Sequence, residues 1–229
     1  MKLTKLPTHL AIILDGNGRW AQKRGKDRNF GHYMGVQNLK EIVKVVRDLK
    51  IQYLSLYCFS FENMKRPKEE VSYLMDLAKV EFEHLKEKNP TDSINVRIIG
   101  EDDNLSNDIL DIKQEINSRP FIKDAFTLFI AFNYSSTLEI KHASKISNGD
   151  DFEQHLYTYP APAIDLLIRT SGEERLSNFM LYQMSYAELY FTKTYWPSFK
   201  TKDLRKALTT YQKRRRNFGL IEPTINKSS

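Results

Sequence analysis

Continuous apolar runs of strand length recur along the chain, separated by segments with a different hydrophobic period. The runs cover residues 10–14, 53–59, 96–99, 127–134 and 164–168. A run without polar alternation is typical of a strand that is buried on both faces. The pattern therefore predicts several buried strands distributed over most of the sequence.

Between these runs, apolar residues stand three or four positions apart and predict helices. Such stripes cover residues 36–49, 71–85, 105–116 and, more weakly, 138–146, and a last one starts at Thr201. Pro67 suits the first turn of the second helix. Strands alternating with helices predict an α/β fold, with a central, mainly parallel β-sheet flanked by helices. No linker or change of composition divides the chain, so residues 1–229 are expected to form a single domain.

Composition narrows the class of protein only slightly. The 229 residues include 35 Lys and Arg against 29 Asp and Glu, a net charge of +6. This excess suits nucleic acid, an anionic lipid surface or phosphorylated substrates. The dense basic run 213–216 can equally complement a helix carboxyl terminus. The one cysteine excludes an internal disulfide framework, and the N-terminus lacks the apolar segment of a signal peptide, so a cytoplasmic protein is expected.

Candidate chemistry collects where the predicted strands end, which is where open α/β sheets bind ligands. The first run leads into Asp15-Gly16-Asn17-Gly18-Arg19-Trp20. Glycines let a backbone approach a ligand closely, a helix start offers N–H groups to an anion, and a carboxylate can hold Mg²⁺. An ordinary Asp-Gly turn would have the same sequence. The segment matches neither the Walker loop nor Gly-x-Gly-x-x-Gly.

The other predicted strand ends carry further cations and hydroxyl groups. Arg28 and His32 share a face if their segment is helical, although a solvated helix face is the simpler explanation. The loop after the second run and the segment after the fifth add more polar residues. The cations, hydroxyl and carboxylate expected at one sheet edge are Asp15, Arg19, Arg28, His32, Arg66, Arg169, Arg175 and Ser177. Together they indicate an enzyme that acts on diphosphates.

Several of these segments resemble the motifs of the cis-prenyltransferase family. Residues 9–20, 59–67, 169–179 and 185–191 match in order and spacing, followed by Trp196-Pro197 and the Arg-x-Arg-x-Phe-Gly segment at 214–219. The likeness covers about residues 6–219. The Asp-Asp-x-x-Asp motif of the trans class is missing, because Asp102-Asp103 is not followed by the required aspartate.

The resemblance implies condensation of an allylic diphosphate, typically farnesyl diphosphate, with successive isopentenyl diphosphates. It also implies a hydrophobic product tunnel between the sheet and the helices. Asp15 and Asn63 are implied as catalytic residues, and Asp15 and Glu188 as ligands of a Mg²⁺ cofactor. The residues implied in substrate binding are Gly16, Asn17, Gly18, Arg19, Trp20, Arg28, His32, Ser60, Phe61, Glu62, Met64, Arg66, Arg169, Arg175, Leu176 and Ser177.

The family likeness also sets expectations about assembly and location. It implies a homodimer in which the basic arm at 214–216 reaches the neighbouring active site, with Phe191, Tyr195 and Trp196 as an exposed aromatic cluster. A cytoplasmic enzyme that contacts the membrane for product release is expected, without a nucleic-acid partner. In a bacterium, undecaprenyl diphosphate for the cell-wall carrier lipid would be the product.

Departures from the family pattern leave alternatives open. They are Phe61, Met64, Tyr182, the segment Ser135-Ser136-Thr137 and Asn217. A shorter-chain synthase, a non-catalytic partner subunit and a nucleic-acid-binding domain are the competing hypotheses. Period-two alternation places Phe126, Leu128, Ile130 and Phe132 on one strand face, with Tyr134 on the same face. With Cys58 this face either lines a product tunnel or belongs to an ordinary core.

Overall fold

A computed structural model describes residues 3–87 and 94–215, and six strands form one sheet in it. The strands are β1 (His9–Ile13), β2 (Tyr53–Ser60), β3 (Ile94–Ile99), β4 (Phe126–Tyr134), β5 (Leu166–Arg169) and β6 (Glu188–Phe191). Their order is β3-β4-β2-β1-β5-β6, and every neighbouring pair is parallel. The predicted parallel α/β sheet is confirmed. The sixth strand was not predicted.

Within the described residues, six helices connect and cover the strands. They are α1 (Asn17–Gln22), α2 (Arg28–Asp48), α3 (Lys68–Glu87), α4 (Asn107–Ser118), α5 (Ser136–Ile146) and α6 (Thr201–Lys213). Helix α2 begins eight residues before its predicted apolar stripe, because the Asp27 carboxylate accepts a hydrogen bond from the Asn29 backbone N–H at 2.7 Å. Arg28 and His32 therefore lie on the first turns of a helix. No helix in residues 3–87 or 94–215 combines the length and apolar character needed to cross a bilayer.

Both faces of the sheet are buried, as continuous apolar strands require. Leu10 and Ile12 of β1 face one core, which α2, α3, α4 and α6 complete. Ala11 and Ile13 face a second core, which contains Phe179 and lies on the side of α5. At roughly 25 cal/mol per Å² of buried apolar surface, these two layers supply the main driving force for folding.

The alternation along β4 is interrupted at its end. Leu128, Ile130 and Phe132 face the first core, as predicted, but Tyr134 belongs to the second. Asn133 has a φ of 52°, and this left-handed residue reverses the direction of the following side chain. The prediction that Phe132 and Tyr134 share a face was wrong for this reason.

Trp196 is fully buried rather than part of an exposed aromatic cluster. Its indole N–H donates to the Gly35 carbonyl at 2.8 Å, and the Asn38 side-chain amide donates to the Trp196 carbonyl at 2.8 Å. Phe191 and Tyr195 are half-buried. The expectation of exposure was wrong for Trp196, because these bonds anchor it against α2.

Candidate functional site

A polar cavity of about 450 Å³ opens at the carboxyl ends of β1, β2 and β5. Eleven residues that the sequence predicted for a diphosphate site meet there with Ser60, Asn63 and Glu173, the last of which was not predicted. The predicted residues that line the cavity are Asp15, Gly16, Asn17, Gly18, Arg19, Arg28, His32, Ser60, Asn63, Arg66, Arg169, Arg175 and Ser177. Parallel strands end at one edge of a sheet, which explains how residues from distant segments come together.

Asp15 lines the polar cavity and lies between two guanidinium groups. Its Oδ1 is 3.0 Å from Arg19 Nη2, and its Oδ2 is 3.0 Å from Arg169 Nη2. The Thr170 hydroxyl accepts from the Asp15 backbone N–H at 2.9 Å and lies 2.7 Å from the Asp15 carbonyl. These contacts fix the carboxylate where β1 and β5 end.

The two glycines after Asp15 are required by close approach. Gly16 has a φ of 101°, and a Cβ there would lie 2.5 Å from Tyr195 Cδ1. A Cβ on Gly18 would lie 2.6 Å from the guanidinium of Arg28. Any side chain at residue 18 would therefore displace a cation from the cavity.

A second cluster is organised by Glu70, which the sequence analysis did not identify. Its Oε1 is 3.0 Å from Arg28 Nη2, 3.1 Å from His32 Nε2 and 3.1 Å from Arg66 Nη1. The Arg28 and Arg66 guanidiniums hold the pKa of Glu70 below its usual value against the opposing effect of burial. One carboxylate thus aligns three donors on α2 and at the start of α3. An Arg66–Glu70 pair at i,i+4 was the one sequence signal that pointed to it.

His32 is uncharged near neutral pH in this environment. Burial lowers its pKa, and the contact with Glu70 only partly opposes that effect. Its ring can therefore donate a hydrogen bond without adding a full charge.

The third cluster follows β5. Arg169 Nη1 donates to Ser177 Oγ at 2.8 Å and to the Arg175 carbonyl. Ser177 and Asn178 both have positive φ, and Asn178 Nδ2 donates to Ser135 Oγ at 2.8 Å, which secures this turn. The buried Nε of Arg169 has no hydrogen-bond partner in the part of the chain that the structure describes. An unpaired guanidinium N–H beside a polar cavity suits an anionic ligand.

Ser60 and Asn63 hold each other at the end of β2. Ser60 Oγ accepts from the Asn63 backbone N–H at 3.2 Å, and Asn63 Oδ1 accepts from the Ser60 N–H at 3.1 Å. This reciprocal capping starts a short 3₁₀ helix, Phe61–Lys65. It places both side chains on the wall of the cavity.

Five predicted substrate-binding residues do not line the polar cavity. They are Trp20, Phe61, Glu62, Met64 and Leu176. The Trp20 indole donates to Ser198 Oγ at 2.6 Å, and Glu62 Oε1 accepts from Asn178 Nδ2 at 2.9 Å. Met64 packs against the first core and Leu176 against the second. Trp20, Glu62, Met64 and Leu176 thus contact residues around the polar cavity rather than the cavity itself.

Glu188 lies at the opposite edge of the sheet from Asp15. It begins β6 and is in register with Leu166, which is in register with Leu10. Asp15 follows Leu10 by five positions, or roughly 16 Å at about 3.3 Å per strand residue. The Glu188 carboxylate instead accepts from Arg214 Nη1 at 2.8 Å. Glu188 thus lies away from Asp15 within the same chain, and its implied role as a second ligand of the metal stays a prediction.

The donor set around Asp15 fits a magnesium ion that a diphosphate completes. Within residues 3–87 and 94–215, no three His, Cys, Asp or Glu side chains form a cluster able to hold a metal. Mg²⁺ commonly binds through one or two carboxylates plus substrate phosphates and waters. Asp15 offers one such carboxylate on the wall of the polar cavity.

An apolar cavity of about 520 Å³ adjoins the polar one, between the sheet and helices α2 and α3. Cys58 and Leu74 line both cavities, and Leu128, Ile130 and Phe132 form the strand wall. An apolar cavity thus lies where the product tunnel was predicted. Phe126 is not part of its wall but lines a separate cavity beyond the end of the strand. Burial raises the pKa of the Cys58 thiol to about 12, so this group stays protonated.

Comparison with known proteins gives a consistent family assignment. Residues 13–219 match the Prenyltransf family model, which describes undecaprenyl diphosphate synthases. The isoprenyl transferase of Thermotoga maritima is 44% identical, with 94% of this chain and 97% of that protein covered. A ditrans,polycis-undecaprenyl-diphosphate synthase of Haemophilus influenzae, specific for (2E,6E)-farnesyl diphosphate, is 40% identical, with 96% and 98% covered.

A solved structure shows the same architecture. Lavandulyl diphosphate synthase from Lavandula x intermedia, in complex with dimethylallyl diphosphate, superposes with a TM-score of 0.83 at 34% identity. The comparison covers 94% of this chain and 99% of the plant enzyme. The likeness thus extends over nearly the whole length of both chains.

Proposed function

This chain belongs to the undecaprenyl diphosphate synthase family of prenyltransferases, and we propose that it extends an allylic diphosphate with successive isopentenyl diphosphates. Farnesyl diphosphate is the proposed primer, and a cis-polyprenyl diphosphate such as undecaprenyl diphosphate is the proposed product. The Haemophilus influenzae relative carries that substrate and product in its name.

The observation that supports this proposal is the junction of two unlike cavities. The polar cavity is lined by cations around Asp15, and it meets the apolar cavity at Cys58 and Leu74. A prenyl diphosphate has an anionic head and an apolar tail, which is the same division of chemistry. We therefore assign the head to the polar cavity and the growing tail to the apolar one.

Arginines on both sides of Asp15 explain how the site would favour the reaction. In each cycle the allylic C–O bond breaks, diphosphate departs with the bonding electrons, a new C–C bond forms and isopentenyl diphosphate loses a proton. We assign Arg28, His32 and Arg66 to the departing diphosphate, and Arg169 with Ser177 to isopentenyl diphosphate. Fixed donors aimed at developing negative charge lower the barrier because they need no reorganisation. Mg²⁺, held by Asp15, supplies further charge neutralisation when bound.

Asn63 is the proposed group at the proton that leaves the condensing unit. Its side-chain carbonyl is held by the Ser60 N–H, which orients the amide towards the cavity wall. Ser60 and Glu62 are the neighbouring polar residues of the same turn. We propose that this turn positions the departing proton rather than the diphosphates.

A shorter product is the second candidate, because an aromatic ring stands in the apolar cavity. The Phe132 ring is 5.3 Å from the rings of both Phe59 and Phe82, measured between centroids. This cluster occupies space that a longer chain would need. Product length therefore depends on whether these rings move aside.

We also propose a homodimeric, cytoplasmic enzyme, with the basic arm following α6 directed to the neighbouring subunit. Arg214 is held in its own chain by Glu188 and by the Leu189 carbonyl, at 2.8 Å each. Arg216 and Asn217, which belong to the same predicted arm, lie outside the described residues. Light scattering of the purified chain tests the dimer directly, and a monomer would contradict it.

Incubation with farnesyl diphosphate, labelled isopentenyl diphosphate and Mg²⁺, followed by chain-length separation, tests the function. We expect a ladder of labelled polyprenyl diphosphates that disappears when the metal is chelated. A folded protein that incorporates no label would support the non-catalytic partner hypothesis instead. Salt-dependent binding of duplex DNA in place of turnover would support the nucleic-acid hypothesis.

A further inference from the structure

The turn that presents Ser177 to the polar cavity contains three left-handed residues that are not glycine. The φ angle is 51° at Ser177, 60° at Asn178 and 43° at Met180. Such conformations are costly for residues with a side chain, so they persist only where surrounding contacts impose them, and they concentrate at functional sites. The contacts that impose this turn therefore bear on the position of Ser177.

The side chain of Asn178 ties this turn to the start of α5. Its Oδ1 accepts from the Thr137 backbone N–H at 3.1 Å, and its Nδ2 donates to Ser135 Oγ at 2.8 Å. The Asn178 carbonyl accepts from the Ser136 backbone N–H at 3.0 Å. The segment Ser135-Ser136-Thr137, which departs from the family pattern, thus holds the turn through its backbone and through a hydroxyl group.

The same amide also reaches the turn that follows β2. Asn178 Nδ2 donates to Glu62 Oε1 at 2.9 Å. Glu62 belongs to the 3₁₀ helix Phe61–Lys65, which also contains Asn63. An amide nitrogen carries two N–H groups, enough for one bond to the hydroxyl and one to this carboxylate. One side chain therefore connects the turn that carries Ser177 with the turn that carries Asn63.

From these contacts we infer that Asn178 is a positioning residue, which sets the separation between the diphosphate end of isopentenyl diphosphate and the group at its departing proton. The inference rests on the proposed function, which assigns Ser177 to that diphosphate and Asn63 to that proton. Neither Asn178 nor Glu62 lines the polar cavity, so both act through their neighbours. One small substrate must reach both turns, and a shift of one turn against the other would misplace one of its ends.

Two substitutions of Asn178 remove its contacts in different ways. Asn178→Gly deletes the amide and keeps the left-handed backbone, which glycine adopts without strain. Asn178→Asp keeps a side chain of nearly the same shape but replaces the donating nitrogen with a carboxylate oxygen that faces Glu62. The matched control is Asn104→Gly, because Asn104 also has a left-handed φ of 63° and is exposed between β3 and α4.

We expect both Asn178 variants to raise the KM for isopentenyl diphosphate about tenfold, because its subsite loses its fixed position relative to Asn63. The KM for the allylic diphosphate should stay within about twofold, because the cluster around Glu70 is separate from this turn. Asn104→Gly should leave both KM values unchanged. Unchanged KM values in the Asn178 variants, or equal increases for both substrates, would overturn the inference.

A reversed pair tests the contact between the two turns. Adding Glu62→Gln to Asn178→Asp again sets a donor opposite an acceptor, because the glutamine amide can donate to the aspartate. We expect this double variant to recover at least about threefold of the lost KM for isopentenyl diphosphate. Urea denaturation of each variant shows whether KM follows the contact or the stability of the fold. A double variant no better than Asn178→Asp would overturn the role of this contact.

Equilibrium dialysis with labelled isopentenyl diphosphate and Mg²⁺ separates this inference from the proposed function. An unaltered chain that binds and incorporates the label, with Asn178 variants that do so equally well, would refute the positioning role alone. An unaltered chain that neither binds nor incorporates the label would refute the proposed function and, with it, the positioning role.

Discussion

The carboxylate of Asp15 forms ion pairs with two arginines of the polar cavity, Arg19 and Arg169. We predict that Asp15→Ala loses at least about 10²-fold in kcat while remaining folded, because the carboxylate that we propose as the metal ligand would supply several kcal/mol of transition-state stabilisation. Steady-state kinetics with circular dichroism measures both effects. Asp150→Ala, in an exposed loop, is the control. Activity within threefold of the unaltered enzyme would remove Asp15 from the mechanism.

Glu70 does not itself line the polar cavity, and it acts through the side chains that it contacts. We predict that Glu70→Ala raises the KM for the allylic diphosphate about tenfold or more, because Arg28, His32 and Arg66 lose their common anchor. The KM for isopentenyl diphosphate should change much less. Glu69→Ala, one residue earlier and exposed, controls for the loss of a carboxylate in the first turn of α3. Equal changes in both KM values would show that the role is not local.

Elements with a strong hydrophobic period were predictable from the sequence, and elements defined by tertiary contacts were not. The runs that became β1, β2 and β4 are buried on both faces, so their apolar pattern is continuous. Strand β6 has four half-buried residues and begins with Glu188, so it offers no such run. Its place at the sheet edge depends on pairing with β5.

The candidate site also combines residues whose proximity local sequence spacing predicts with residues that only tertiary contacts bring together. Spacing on one helix placed Arg28 with His32, and strand ends placed Asp15 near Arg169. The clustering role of Glu70 depends on how α3 meets α2, which local spacing does not specify. The motif that contains Glu188 does not record at which end of a strand this residue lies.

Strand β4 carries the prediction about product length. Phe132→Ala should shift the product ladder towards longer chains, because the ring stands in the apolar cavity between Phe59 and Phe82. The substitution should cost no more than about 3–5 kcal/mol in the free energy of unfolding. Chain-length analysis and urea denaturation measure the two effects.

Phe129→Ala is the matched control for Phe132, since Phe129 is buried in the same strand but faces the second core. It should lower stability by a similar amount and leave the product ladder unchanged. A folded Phe132→Ala enzyme with the unaltered ladder would mean that the ring serves only the core.

At the scale of the whole molecule, the stability of the sheet is coupled to pH through His9. This residue of β1 is fully buried, and its ring lies between β2 and the segment that precedes β5. Its Nδ1 lies 2.8 Å from the Pro162 carbonyl and its Nε2 lies 2.8 Å from Ser55 Oγ. Burial lowers the pKa of His9 from 6.5 to about 4, although the Pro162 carbonyl partly opposes this effect. The folded state therefore keeps the ring neutral under conditions in which the unfolded chain binds a proton.

Because the folded pKa lies below the unfolded one, His9 should destabilise the fold as pH falls. Its contribution is intact above pH 6.5 and declines down to about pH 4. The limit of the loss is about 3 kcal/mol, from 1.36 kcal/mol for each unit of pKa difference. We predict that the free energy of unfolding, measured by urea denaturation at pH 7.5 and pH 4.5, falls less in His9→Gln than in the unaltered chain. The variant begins from a lower stability, because glutamine fills the site less well, but the difference between the two pH values isolates the titration. An equal fall in both proteins would show that other groups control the acid sensitivity of the sheet.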